Sequence, residues 1–416
     1  MIINTSKYTL DNGLKLLVHT DTSTPLAAVN ILYNVGSKNE HPDMTGSAHL
    51  FEHLMFGGTG AVRDFDRSLQ LAGGESNAFT NTDITNYYIT IPVSNIETAL
   101  WLESDRMKGP DLSDKSLTVQ KKVVAEEFRQ RYLNQPYGDV MLNLRPLVYK
   151  VHPYRWPTIG IDISHIEKAD HERLREFFTT YYHPENAILT IAGNIKPEKA
   201  LRLANKWFGS ISPGASPAKP GLPGEPVKKE PERLSLTRDV PADAIYKAWV
   251  ICKRSDYEFH TFDALTDILA GGESGRLYAS LVRDKRVFSE INAFITGELD
   301  NGMLLIYGRI SDKVAIETAE EALEEEIERL RKEPPSPREL QKVKNRFESS
   351  FHLSHAGVLH KATALSLFEL MGDAMKINEE VSSYSSVTAE MITETADKIL
   401  TEESASTLLY RKISND

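Results

Sequence analysis

The sequence predicts an α+β chain of two homologous halves, each a mainly antiparallel β-sheet covered by helices on one side. Three observations carry this expectation. Short segments with alternating apolar residues are interleaved with longer segments of helical period, as expected where sheets and helices share a core. The order of these segments in the first half recurs in the second. Between the halves, near the midpoint of 416 residues, lies PGASPAKPGLPGEPVKKEPE (213–232), whose repeated Pro and Gly can hold neither a helix nor a central strand. The expected division is a first domain over 1–212, a linker over 213–232 and a second domain over 233–416.

In the first half, YTLDNGLKLLVHT (8–20) carries an Asn12-Gly13 hairpin signal, and LAAVNILYNVGS (26–37) alternates like a strand. SAHLFEHLMFGGT (47–59) has helical spacing and ends on Gly57-Gly58, a helix stop. ESNAFTNTDITNYYITIP (75–92) reads as a strand, or as two joined by a bend around Asn81–Asp83. A helix over NIETALWLESDRMKG (95–109) follows, then a longer one from 112 to about Leu133, with Pro136 just beyond. ERLREFFTTYY (172–182) is helical and NAILTIAGNI (186–195) a buried strand.

The second half repeats the order: strand AIYKAWVICK (244–253), helix TFDALTDILAGGESGRLYASLVRD (261–284), then strands INAFITGE (291–298) and GMLLIYGRI (302–310). Two helices follow over 314–333 and 336–351, the first a solvated amphipathic helix with Ala322, Leu323, Ile327 and Leu330 on one stripe. Aligning the two Gly-Gly stops lays His49 on Asp263, Glu52 on Thr266 and His53 on Asp267. One copy would thus keep a His-x-x-Glu-His constellation that the other has lost.

Composition narrows the function. With 48 basic against 59 acidic residues, net −11, the chain lacks the basic excess of a general nucleic-acid binder. No apolar run approaches the roughly 18–20 residues that cross a bilayer. The opening MIINTSKYTLDNGL has no basic stretch leading into an apolar one, which gives the expectation of a cytoplasmic protein. The single cysteine, Cys252, excludes an intrachain disulfide and reads as core filler.

His49-Leu-Phe-Glu52-His53 is the strongest chemical signal. At about 100° per residue, His49 and His53 stand one turn apart on one helix face, where two imidazoles can bind one Zn²⁺. Glu52 projects beside them, placed to take a proton from water and pass it to a leaving amine. Surrounded by Leu50, Phe51, Leu54, Met55 and Phe56, these three polar groups would cost several kcal/mol to bury unless something pairs them. A third protein ligand is expected from VQKKVVAEEFRQRY (119–132). Adjacent Glu126 and Glu127 point about 100° apart, and the face shared with Val123 and Val124 favours Glu127, with Glu126 as the alternative.

AHLFEHLMFGGT, GGESNAFTNTDITNYYITIP, LWLESDRM and VVAEEF together resemble the M16 metallopeptidases, the family of pitrilysin, insulin-degrading enzyme and mitochondrial processing peptidase. The resemblance covers most of the first half and, more weakly, the second. Its proportions are those of the short, two-domain bacterial type. It implies zinc on His49, His53 and Glu127, with Glu52 as general base in this inverted, inverzincin-type motif. It also implies that the segment with Asn77, Ala78 and Phe79 is an edge strand that pairs with substrate backbone. Arg283 falls on a family Arg that helps bind substrate, whereas Glu290 stands where the family has Tyr, and Gln120 where it often has an accessory Glu. The resemblance further implies peptide substrates and a dimer around an enclosed chamber. The partner would be a second copy or a homologue, the latter if another chain must supply the missing Tyr function.

Overall fold

The computed structural model describes residues 2–59, 61–62, 64–214 and 221–413; the middle of the expected linker, 215–220, lies outside them. In chain order the first half carries β1 (Ser6–Thr9), β2 (Lys15–Thr20), β3 (Leu26–Tyr33), α1 (Ser47–Leu54), α2 (Phe65–Leu71), β4 (Glu75–Thr80), β5 (Thr85–Pro92) and α3 (Ile96–Lys108). It continues with α4 (Asp114–Phe128), α5 (Val140–Val148), α6 (Ile163–Glu167), α7 (His171–Tyr181), β6 (Ala187–Gly193) and α8 (Pro197–Phe208). The second half carries β7 (Glu232–Arg238), β8 (Ala244–Val250), α9 (Phe259–Ala270), β9 (Phe288–Ile295), β10 (Met303–Ile310) and α10 (Ile316–Lys332). It ends with α11 (Pro337–Ser354), α12 (Val358–Leu370), α13 (Glu380–Ser385), α14 (Ala389–Ile399) and β11 (Ser406–Lys412).

The duplication is written in the topology. One sheet has the order β1-β2-β6-β3-β5-β4 and the other β7-β11-β8-β10-β9. Apart from the added β1, the two are the same: β2 runs parallel to β6 as β7 does to β11, and every other pairing is antiparallel. In each, the strand before the Gly-Gly helix sits at mid-sheet and the strand after it lies at the edge. β4 and β9 are therefore equivalent outer strands, and α1 and α9 equivalent helices.

The expected contiguous division at the linker differs from how the chain packs. One compact unit comprises Met1–Arg129, Trp156–Leu222 and His352–Glu379, the other Gln130–Arg155, Pro223–Phe351 and Glu380–Asp416. Each sheet is covered on both faces rather than one, and the second cover comes from the opposite half of the chain. Along β3 successive side chains alternate. Tyr33 faces Tyr182, while Ala28 packs with Val358 and Ala362 of α12. On that same face, buried Asn30 donates to Ser366 of α12 at 3.0 Å. In the second unit, α5 lays Val140, Leu144 and Val148 against Tyr246, Ala248, Leu305 and Tyr410. The opposite face of that sheet, with Ile245, Trp249 and Leu304, packs under α9, α10 and α14.

Two local expectations need correction. The helix expected over 261–284 is interrupted: α9 stops at Ala270, Gly272 takes φ +79°, and a wide π-helical segment resumes at Tyr278–Asp284. Val123, expected on the buried face of α4, is exposed; Leu117, Val124, Ala125 and Phe128 are its buried residues. The bend around Asn81–Asp83 is a hairpin turn whose Asn81 Oδ1 accepts from Asp83 and Ile84 N–H at 2.8 and 2.9 Å. Cys252 packs half-buried against the second core, and burial pushes its thiol up to about 12, which makes it unreactive. Among the described residues no helix is long and apolar enough to cross a membrane.

Candidate metal centre

The helix α1 is set in place at both its start and its back. Gly46, φ +91°, precedes it, and a Cβ there would meet Ile159 O at 2.6 Å. The buried Glu40 carboxyl accepts from Gly46 and Ala48 N–H, both at 2.8 Å, capping the helix start. Behind, Phe51 stacks on Phe177 at 5.5 Å and lies 5.4 Å from Tyr182. Beneath the end of α1, fully buried Arg106 of α3 lies against the rings of Phe56, Phe65 and Tyr87 and pairs with Glu103 at 3.0 Å. The sequence reading gave no role to Glu40 or to the Glu103–Arg106 pair. For Glu103 and Arg106 the signal was charge at helix positions that face the core, whereas Glu40 lies in a loop whose burial the sequence does not mark.

With its apolar side so committed, α1 presents His49, Glu52 and His53 toward α4 and β4. Glu127 of α4 reaches them: its Oε2 lies 3.7 Å from His49 Nε2 and 3.3 Å from His53 Nε2. The imidazole rings are 4.9 Å apart and nearly perpendicular. Two imidazole nitrogens and one carboxylate oxygen, all within 4.8 Å of one another, form the one group of three metal-capable side chains among the described residues. With zinc–ligand distances near 2.0–2.2 Å, tetrahedral ligands sit about 3.3–3.6 Å from each other, so this donor set fits zinc. Glu126 instead faces outward, with its side chain 55% exposed and 3.5 Å from Arg129.

Glu52 is half-buried beside this triad. Burial lifts its carboxyl above the usual carboxylate range, the neighbouring Thr80 and the charge of His53 pull it back, and the Glu127 charge adds to the rise. That direction suits a general base, whose ideal pKa lies near the working pH. Asn77, Ala78 and Phe79 lie on β4, which among the described residues pairs only with β5 and so offers an open edge beside α1. Asn77 Oδ1 turns back to the Ala78 N–H at 2.8 Å, and Phe79 is 37% exposed. Arg283 lies in the second unit, exposed and bonded to its neighbour Asp284 at 2.8 Å; Glu290 on β9 is 3.4 Å from Arg309.

The equivalent position on α9 shows what the other copy became. Asp267 is bonded by Tyr384 at 3.2 Å and lies 3.5 Å from Arg346. Burial, and then the Asp267 charge, push the Asp263 carboxyl up to about 6. A carboxyl raised in the fold favours the folded state below its ordinary pKa of 3.8, and that advantage is lost as pH rises through about 6. Asp263→Asn is therefore expected to stabilise the protein at pH 8 by roughly 2–3 kcal/mol and to be near neutral at pH 4. Urea unfolding at the two pH values checks this; equal gains at both would mean that the charge is not the cause.

Residues 15–157 match the family described as insulinase (peptidase family M16), and residues 168–347 match the peptidase M16 inactive domain. The zinc protease PqqE of Helicobacter pylori is 31% identical over 352 residues, covering 82% of this chain and 78% of that protein. An uncharacterized zinc protease of Bacillus subtilis, YmxG, is 25% identical over 97% of both chains. In structure, a protease from Helicobacter pylori superposes with a TM-score of 0.92 at 24% identity, covering 99% of this chain and 100% of that one. The peptidase M16 inactive domain from Pseudomonas fluorescens gives 0.88 at 17% identity, covering 99% and 98%. Motif, duplicated topology and relatives agree: the chain belongs to the M16 peptidase family.

Proposed function

We propose that the chain is a zinc-dependent endopeptidase that hydrolyses peptides, with His49, His53 and Glu127 as the zinc ligands and Glu52 as the general base. The observation that carries this reading is the convergence of two imidazoles and a carboxylate, all within 4.8 Å of one another, beside a second, half-buried acid. When bound, zinc supplies Lewis acidity that polarises the scissile carbonyl and makes water a stronger nucleophile. A peptide adds to the open edge of β4 through main-chain hydrogen bonds, which gives affinity with little demand on sequence. In pairing there it takes over the Ala78 N–H from Asn77 Oδ1, and it meets exposed Phe79 as a side-chain contact. Glu52 accepts the proton of the attacking water at a carboxylate oxygen and returns it to the departing amide nitrogen.

The test is cleavage of a mixed quenched-peptide library by the purified, zinc-loaded protein. Cleavage abolished by a chelator and restored by zinc is the expected result. A second reading is favoured by the second unit, where Glu290 and Arg283 are tied to Arg309 and Asp284. In it, the chain is the metal-bearing subunit of a pair whose partner supplies the missing groups. One zinc per chain without cleavage would overturn the self-sufficient enzyme and favour that pair.

A further inference from the structure

We propose that Lys228 is a nucleophilic lysine at which small acyl phosphates acylate the protein, and that acylation unfastens the segment carrying it. Residues 221–230 form neither helix nor strand, yet they are tied down at two points around the end of α5. The Glu225 carboxylate accepts three successive backbone N–H groups, from Lys150, Val151 and His152, at 2.7, 3.1 and 2.9 Å. Lys228 Nζ donates to Leu147 O, in the last turn of α5, at 2.7 Å and to Ser406 Oγ at the start of β11. Ser406 gives its own proton to Leu147 O at 3.1 Å, so its oxygen is committed as an acceptor for Lys228. All of these residues belong to the second unit.

Other buried lysines of this protein meet carboxylates: Lys247 is bonded to Glu324 and Glu402, and Lys361 to Asp21 at 2.6 Å. Half-buried Lys228 meets none within ion-pair distance among the described residues, and neither of its two acceptors is an anion. An ammonium group would bring a third N–H and lose hydration without a counter-charge in contact. A neutral amine has two hydrogens, both taken here, and keeps a lone pair for an electrophile. Burial accordingly pushes the amine down to about 8; the charges of Glu232 and Glu225 oppose the fall and that of Lys150 adds to it. About a quarter of the chains then carry a neutral Lys228 at pH 7.5, against about one in a thousand for an ordinary lysine. In the reaction the Nζ lone pair attacks the acyl carbon and the C–N bond forms. The C–O bond to phosphate breaks, its electron pair leaves on the phosphate, and one amine proton passes to that phosphate. The amide product has a single N–H and no charge, so it holds Leu147 O or Ser406 Oγ but not both.

Acetyl phosphate applied to the full chain, with acetyl-lysine quantified residue by residue by mass spectrometry, tests this without zinc or peptide cleavage. Lys228 is expected to react at least about tenfold faster than its exposed neighbour Lys229 at pH 7.5, and unfolding in urea to remove the difference. Its rate is expected to rise through about pH 8 and then level off as the lone-pair form becomes complete, whereas an ordinary lysine goes on gaining to about pH 10. Labelling of Lys228 no faster than Lys229, or without a plateau, would overturn the nucleophile. The second arm reads the segment itself. Acetylated protein and Lys228→Gln are expected to be cut within 221–230 by a glutamate-specific protease several-fold faster than wild type, with Lys229→Gln unchanged. Cutting at the wild-type rate in either would overturn the unfastening.

Discussion

Glu52→Gln is expected to bind zinc as wild type does and to lose on the order of a thousandfold in peptide turnover. The side chain is not among the three converging donors, so the metal site should survive its change. Glutamine matches the volume of glutamate, but its amide has no acidic oxygen with which to take a proton from water. The half-buried site raises the carboxyl of the wild-type residue, so the change also removes a charge that the fold tolerates at a cost. The variant should be at least as stable as wild type, which separates lost chemistry from lost folding. Metal analysis, Tm and cleavage rate on one preparation check all three points. Comparable cleavage by Glu52→Gln would remove Glu52 from the mechanism and the reading that depends on it.

Glu127→Ala should weaken zinc binding on the order of a hundredfold, whereas Glu126→Ala should leave it nearly unchanged. The two residues are neighbours in sequence and opposite in consequence. Glu127 Oε2 sits within 3.7 Å of both imidazoles. Glu126 is tied to Arg129 in a largely exposed pair, which is worth well under about 1 kcal/mol to stability. Competition against a chromophoric chelator measures both affinities directly. A Glu126→Ala variant that loses zinc while Glu127→Ala keeps it would move the third ligand one residue upstream.

The pair also shows how far helical phase carries an argument. The choice of Glu127 leaned on Val123 and Val124 together, yet Val123 is exposed and only Val124 marks the buried side. A helix of period 3.6 separates residues one apart by about 100°, so one misassigned neighbour left the conclusion standing but narrowed its margin. Gly271-Gly272 ends α9 just as Gly57-Gly58 follows α1, and the helical spacing that continues to Asp284 belongs to a separate π-helical segment. The alignment it supported, His49 on Asp263, agrees with the equivalent positions of α1 and α9 in their sheets.

The sequence by itself determined the duplicated α+β halves, the His49–Glu52–His53 face and the loss of that face in the second copy. Each depends on residues a few positions apart, whose relative directions are set by helix and strand period alone. Only the tertiary structure decided that Glu127 closes on the two histidines and that α5 and α12 cover the sheets of the opposite halves. Apolar periodicity states that a helix face must be buried, but not against which surface. α12, apolar on most of its circumference, could be read as buried from its composition; that it lies on β3 and β6 is settled by Asn30 and Thr190, buried polar groups whose hydrogen bonds Ser366 completes.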